Sequence, residues 1–234
     1  NNMIKNFEKL HNKAKKIIPG VSQLLGKRPD MYLPGNKWPT YYSKAKGVTI
    51  WGLDGKKYLD FTMVGIGTSV LGYSDNHMNK IAINAIKSGS MTTLNAPEDV
   101  KLAEELLKIH PWASSVKYAR TGGESMSVAI RLSRAYTKKE KILFCGYHGW
   151  HDWYLSANIS SKKKLDTHLL PGLEPLGVPK SLRGTVIPFK FNDWEDLNRT
   201  IKKNAKDCAA IVFEPCREYF PDKIRLQRAC SCSS

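Results

Sequence analysis

Residues 116–149 read VKYARTGGESMSVAIRLSRAYTKKEKILFCGYHG. Val116 to Ala119 is a short β-prone run, and Thr121-Gly122-Gly123-Glu124 is a turn. Ser125 to Tyr136 carries Met126, Ile130 and Ser133 on one face, the spacing of an amphipathic helix. Lys141 to Cys145 is a second strand-length run, and Gly146 to Trp153 a loop of glycines and aromatic rings. Strand, turn, helix and strand in that order predict right-handed crossovers and a mostly parallel sheet with flanking helices.

The alternation continues downstream with a strand at Val186 to Phe189, a helix at Trp194 to Asn204 and a buried-type strand at Ala209 to Phe213, closed by Glu214-Pro215. Between them Ser156 to Arg183 is basic and bears Pro and Gly, which predicts a surface insertion. Upstream, Asn1 to Ile18 reads as a polar helix stopped by Pro19-Gly20, and Gly26 to Trp38 as an extended connection. Val48 to Trp51 and Lys57 to Phe61 flank Asp54-Gly55, a hairpin signal. Met63 to Gly72 is a glycine-rich loop. Met78, Ile81, Ala82, Ala85 and Ile86 define an amphipathic helix ended by Ser88-Gly89. Another spans Glu98 to Ile109 with Leu102, Leu106 and Ile109 inward. The tail from Ile224 to Ser234 has too little apolar surface to add to a sheet. The expected organisation is an N-terminal α+β segment over 1–75, part of a larger domain over 76–222, and an atypical tail over 223–234, as a truncated or frame-altered chain would have.

The 234 residues are 41% hydrophobic and 25% charged, which excludes disorder and a collagen-like repeat. No stretch approaches the roughly 20 apolar residues that span a bilayer, and the lysine-rich start lacks a secretory core, so the expected location is the cytoplasm. Cys145, Cys208, Cys216, Cys230 and Cys232 are odd in number and irregularly spaced, which fits reduced thiols. The net charge of +16 raises a basic nucleic-acid-binding module as an alternative. The lysines are scattered rather than blocked, so a solvated basic surface is preferred.

Three segments could carry chemistry. Thr121-Gly122-Gly123 opens a helix, where free N–H groups, the helix dipole and a hydroxyl suit a phosphate. It is neither a Walker loop nor a GxGxxG fingerprint. Gly146-Tyr147-His148-Gly149 follows a strand end, where ligands of open α/β sheets bind and where an aromatic ring could stack on a flat ligand. His148, His151 and Asp152 together also raise a metal-dependent hydrolase. Glu214 closes the last strand and could face the same crevice. A phosphate cradle, an aromatic platform and a carboxylate at successive strand ends suit a flat phosphorylated cofactor such as pyridoxal 5'-phosphate.

The order of these features resembles the class III, fold-type I pyridoxal-phosphate aminotransferases, nearest to members like glutamate-1-semialdehyde 2,1-aminomutase. Shared segments include Ile18-Pro19-Gly20, Asp54-Gly55-Lys56-Lys57-Tyr58-Leu59-Asp60, Asn95-Ala96-Pro97-Glu98, Thr121-Gly122-Gly123-Glu124-Ser125, Tyr147-His148-Gly149 and Glu214-Pro215. The resemblance implies an α/β fold-type I transferase domain, here incomplete. It implies that Gly122 and Gly123, helped by Thr121, hold the cofactor phosphate. It further implies that Tyr147 stacks on the pyridine ring, that His148 and Gly149 shape the loop, and that Glu214 lies near the phenolic side. The family's Ser-Gly-Thr or Ser-Gly-Ser is Thr121-Gly122-Gly123 here, one hydroxyl fewer. Val21-Ser22-Gln23-Leu24-Leu25 and Ile66 depart from the mutase pattern, which counts against glutamate semialdehyde as substrate. None of the lysines matches the family's Schiff-base motif, so the chain alone is expected to be inactive. Small-molecule amino donors and acceptors, and a homodimer whose partner faces Met91 to Pro97, complete the implied picture.

Overall fold

The computed structural model describes residues 2–33, 38–61, 64–161, 164–168 and 173–215. The chain forms two compact units, Asn1–Asp99 and Val100–Ser234.

The first unit begins with α1 (Asn2–Ile17), whose last turn carries Lys15 and Lys16 where the helix dipole favours cations. His11 on this helix is buried and its Nδ1 lies 2.8 Å from Thr40 Oγ1. Gly20, at φ +70°, turns the chain out of the helix. The connection expected to be extended instead contains two 3₁₀ turns, Leu25–Lys27 and Pro29–Met31; residues 34–37 lie outside the described set. Pro29 supplies the fixed φ that starts the second turn. A three-stranded antiparallel sheet follows: β1 (Tyr42–Lys46), β2 (Thr49–Gly52) and β3 (Lys57–Leu59). The hairpin lies where Asp54-Gly55 indicated, with Asp54 Oδ1 accepting the Lys56 N–H at 3.1 Å. The strand β1 was not foreseen, because Tyr-Ser-Lys-Ala-Lys shows no apolar alternation.

The helix α2 (Asn76–Lys87) starts at Asp75, whose carboxylate accepts the Met78 N–H at 2.9 Å. The next helix, α3 (Pro97–Ile109), runs across the division between the units. No residue of either helix is buried, and Leu102 and Ile109, expected to point inward, are exposed. The apolar spacing is present, but no described element covers the stripe.

The second unit is built on a parallel sheet of order β5–β4–β6. Its helix α4 (Gly122–Thr137) precedes the central strand β4 (Lys141–Cys145). Two four-residue helices, α5 (Asp152–Leu155) and α6 (Ala157–Ser160), come next. Then follow β5 (Val186–Pro188), α7 (Trp194–Asn204) and β6 (Cys208–Phe213). Side chains of β4 alternate between two cores. Ile142 and Phe144 pack with Ile130 of α4 and with Trp153, Tyr154, Leu165 and Val186. Leu143 and Cys145 face Phe189, Leu197 and Ile201. The pairing of β4 with β6 shifts register after Lys141↔Cys208, so that Ile142 faces Ala210 and Cys145 faces Phe213.

Four expectations change. Val116 to Ala119 forms no strand, because no described neighbour supplies it with ladder hydrogen bonds. The strand β6 is only half-buried: Ile211 and Phe213 are exposed. The helix α4 starts at Gly122, three residues before the expected Ser125, because Thr121 caps it. Ser156 to Arg183 is no surface insertion throughout, since Ala157, Asn158, Leu165, His168 and Val178 are buried. Asn158 makes this burial feasible: its Oδ1 accepts the Leu165 N–H at 3.0 Å and its Nδ2 donates to the Leu173 carbonyl at 2.7 Å. Cys145 is buried as read, and Cys208 half-buried. The tail over 223–234, with Cys216, Cys230 and Cys232, lies outside the described residues.

Removing the Asn158 amide strands a buried donor and a carbonyl, each costing about 1–3 kcal/mol. Asn158→Ala is therefore expected to lose about 2–4 kcal/mol in urea unfolding.

Candidate active site

The two glycine motifs meet. A methyl group built on Gly149, at φ +92°, would lie 2.7 Å from Gly123 Cα, and one built on Gly123 would lie 2.8 Å from His151 Nε2. The loop after β4 therefore presses directly on the first turn of α4. Gly122 has open space where its side chain would be. Thr121 caps the helix, its Oγ1 accepting the Glu124 N–H at 3.1 Å, while Glu124 Oε2 accepts the Arg120 N–H at 2.9 Å. The amides of Gly122 and Gly123 are the donors that a helix start leaves unpaired within itself. The Thr121 oxygen is used as an acceptor, which leaves its hydrogen to donate outward.

Glu214 reaches the same loop from β6. Its Oε2 accepts the Tyr147 N–H at 3.2 Å, and its Cδ stands 2.8 Å from where Gly146, at φ +98°, would carry a methyl group. Its own N–H continues the parallel ladder to the Cys145 carbonyl at 3.1 Å. Tyr147 is 39% exposed, and partial burial raises its phenol pKa above 10. Its ring meets Tyr154 edge-on, with centroids 5.8 Å apart.

His148 does not share the solvent side of this loop. It is buried, Nε2 donates to the Cys145 carbonyl at 2.9 Å, and the ring stands edge-on to Phe144 and Tyr154. Burial lowers its pKa from 6.5, outweighing the hydrogen bond to Cys145 and the Glu214 charge. His148 thus shapes the loop from beneath. His151 packs on Gly123 instead, and among the described residues no three His, Cys, Asp or Glu side chains gather as a metal would require. The His148–His151–Asp152 set is not assembled.

Sequence reasoning missed Tyr154 and His168. The Tyr154 hydroxyl donates to the Gly146 carbonyl at 3.0 Å, and His168 Nδ1 accepts the Gly146 N–H at 3.1 Å. Tyr154 stands in an aromatic cluster that reads as ordinary core. His168 stands in the segment taken for surface.

A site of this form, at the carboxyl ends of parallel strands and beside a helix start, is where an α/β transferase holds a phosphorylated ligand. The family profile "Aminotransferase class-III" matches residues 32–218, and the chain belongs to that family. Its fold is the fold-type I transferase fold, and the family's enzymes work with pyridoxal 5'-phosphate. The chain is 29% identical over 207 residues to 3-aminobutyryl-CoA aminotransferase of Cloacimonas acidaminovorans, covering 88% of this chain and 45% of that protein. It is 32% identical over 195 residues to glutamate-1-semialdehyde 2,1-aminomutase of Methanosphaera stadtmanae, covering 79% and 44%. The structure of the PLP internal aldimine form of the FumI protein from Sphingopyxis sp. MTA144 superposes with a TM-score of 0.73 at 25% identity, covering 88% of this chain and 45% of that one. The chain spans about half the length of the curated relatives it matches. No helix among the described residues is long and apolar enough to cross a membrane.

Gly149→Ala combines a left-handed φ with a clash against backbone and is expected to cost about 2 kcal/mol or more. Gly122→Ala meets nothing and should stay within about 0.5 kcal/mol; urea unfolding of both compares them. His148 binds its proton less readily when folded, so its contribution holds above 6.5 and falls as pH drops from 6.5 toward its lower folded value. The stability advantage of the parent over His148→Gln should accordingly be larger at pH 7.5 than at pH 5.5, measured by denaturant unfolding.

Proposed function

We propose that the protein moves an amino group with pyridoxal 5'-phosphate, as an aminotransferase or aminomutase acting on small-molecule donors and acceptors. The observation that carries this reading is the contact of the Gly146–Gly149 loop with the start of α4. That contact joins the helix start to the loop bearing Tyr147 and held by Glu214, which supports a flat, phosphorylated, heteroaromatic ligand.

In this reading the Gly122 and Gly123 amides and the Thr121 hydroxyl bind the phosphate, and the helix dipole adds to their attraction. His151 fills the side-chain space of Gly123, so a hydroxyl-bearing residue there would require the imidazole to move. Tyr147 would stack on the pyridine ring, with Glu214 holding the Tyr147 backbone and its carboxylate lying on the phenolic side. His148 supports the loop from the core. The bound cofactor supplies an electron sink, and the protein supplies its orientation. No lysine of this chain is assigned as covalent anchor, and the chain by itself is read as lacking turnover. A homodimer in which exposed Met91 and Leu94 meet the partner, working in the cytoplasm, completes the proposal.

Titration followed by cofactor absorbance tests it. Pyridoxal 5'-phosphate should bind at least about tenfold more tightly than pyridoxal, since a charged hydrogen-bonded group contributes about 1.5–3 kcal/mol. Tyr147→Ala should weaken binding by about tenfold, the loss of a stacking ring. Borohydride should trap no lysine adduct in this chain. Equal affinity for the two compounds, or no uptake, refutes the reading.

A further inference from the structure

Gly146 is held by three residues from later in the chain. Its N–H donates to His168 Nδ1 at 3.1 Å, its carbonyl accepts from the Tyr154 hydroxyl at 3.0 Å, and Glu214 occupies its side-chain space. The first two partners are buried, Tyr154 wholly and His168 at 4% exposure. From the core, His168 therefore holds the Cys145–Gly146 peptide and Tyr154 the Gly146–Tyr147 peptide, the two planes on either side of Gly146. Tyr154 contributes twice, since its ring also stands edge-on to Tyr147 at 85°.

His168 is the least local part of this clamp. It lies 22 residues after Gly146, in a segment returned to the core by the two hydrogen bonds of Asn158. Its ring packs on Phe144 of β4, with centroids 5.2 Å apart. A backbone N–H can only donate, so Nδ1 must be bare, and the neutral ring carries its proton on Nε2. Nothing in the chemistry of the cofactor calls for a histidine there, and an apolar side chain would fill the space. The geometry calls for an acceptor facing one amide.

We propose that His168 is a positioning residue: as a bare-Nδ1 acceptor of the Gly146 N–H, it fixes the Cys145–Gly146 peptide from which the loop leaves β4 and, together with the Tyr154 hydroxyl on the next peptide, aims Tyr147 and so the aromatic platform of the site. The proposal rests on the cofactor reading above for what Tyr147 stacks upon, and on the clamp alone for how Tyr147 is aimed. His168 thereby belongs to the site without touching the ligand.

The test compares His168→Asn with His168→Leu. An asparagine oxygen can stand where Nδ1 stands, whereas leucine fills the volume without accepting. Two readouts are taken on each protein: hydrogen exchange of the Gly146 amide, and affinity for pyridoxal 5'-phosphate by its absorbance. His168→Leu should speed Gly146 exchange and weaken cofactor binding, each by about tenfold, the worth of one buried hydrogen bond. His168→Asn should keep both within about threefold of the parent. Equal losses in the two variants, or no loss in His168→Leu, overturn the proposal. In the parent, the nitrogen resonance of His168 Nδ1 should be that of an unprotonated ring nitrogen; a protonated one overturns the proposal even if neither variant folds. Should the parent take up no pyridoxal 5'-phosphate, the cofactor reading fails, while the exchange measurement still decides for or against the clamp.

Discussion

Backbone meets backbone where Gly149 rests on Gly123, and the site depends on that approach. Gly149 has no space for a side chain against main chain, and the space beside Gly123 is taken by the His151 imidazole. The contact brings the end of β4 to the beginning of α4, two places that a parallel crossover sets near each other but does not by itself join. Once joined, the start of α4 and the loop that carries Tyr147 stand in contact.

The sheet supplies the rigidity that this approach needs. The central strand β4 is apolar on both faces, with Ile142, Leu143 and Phe144 fully buried, and it ends at the site. Alternation along the strand divides its side chains between α4 and α5 on one side and α7 on the other. The polar loop is thereby fastened to the least movable part of the unit. His148 and Tyr154 extend the fastening, His148 through Nε2 on the last carbonyl of β4 and Tyr154 through its hydroxyl on the first carbonyl of the loop.

Much of this was legible in the residues. Lys141 to Cys145 could be little but a buried strand, and Thr121 followed by Glu124 signals a helix start. The three candidate segments could be named from chain order, and they do converge. What stayed hidden is long-range. A Lys- and Pro-bearing stretch reads as surface until Asn158 is seen to satisfy its backbone. His148 reads as a ligand-side residue until its ring is seen bonded to the Cys145 carbonyl. Val116 to Ala119 is β-prone, yet a strand exists only where a neighbour pairs with it. In α2 and α3 spacing correctly gave helices, but spacing cannot say what lies against the apolar stripe.

The displaced pairing at the start of β6 reaches further than its position suggests. If Ala209 instead paired with Ile142, the ladder that begins at Lys141↔Cys208 would run on to set Cys145 against Val212. Phe213, not Glu214, would then arrive beside Gly146. The pairing skipped at the remote end of a strand thus selects whether an anionic group or a phenyl ring is delivered to the loop, and a strand of the same residues with unbroken pairing would present different chemistry from an otherwise identical frame.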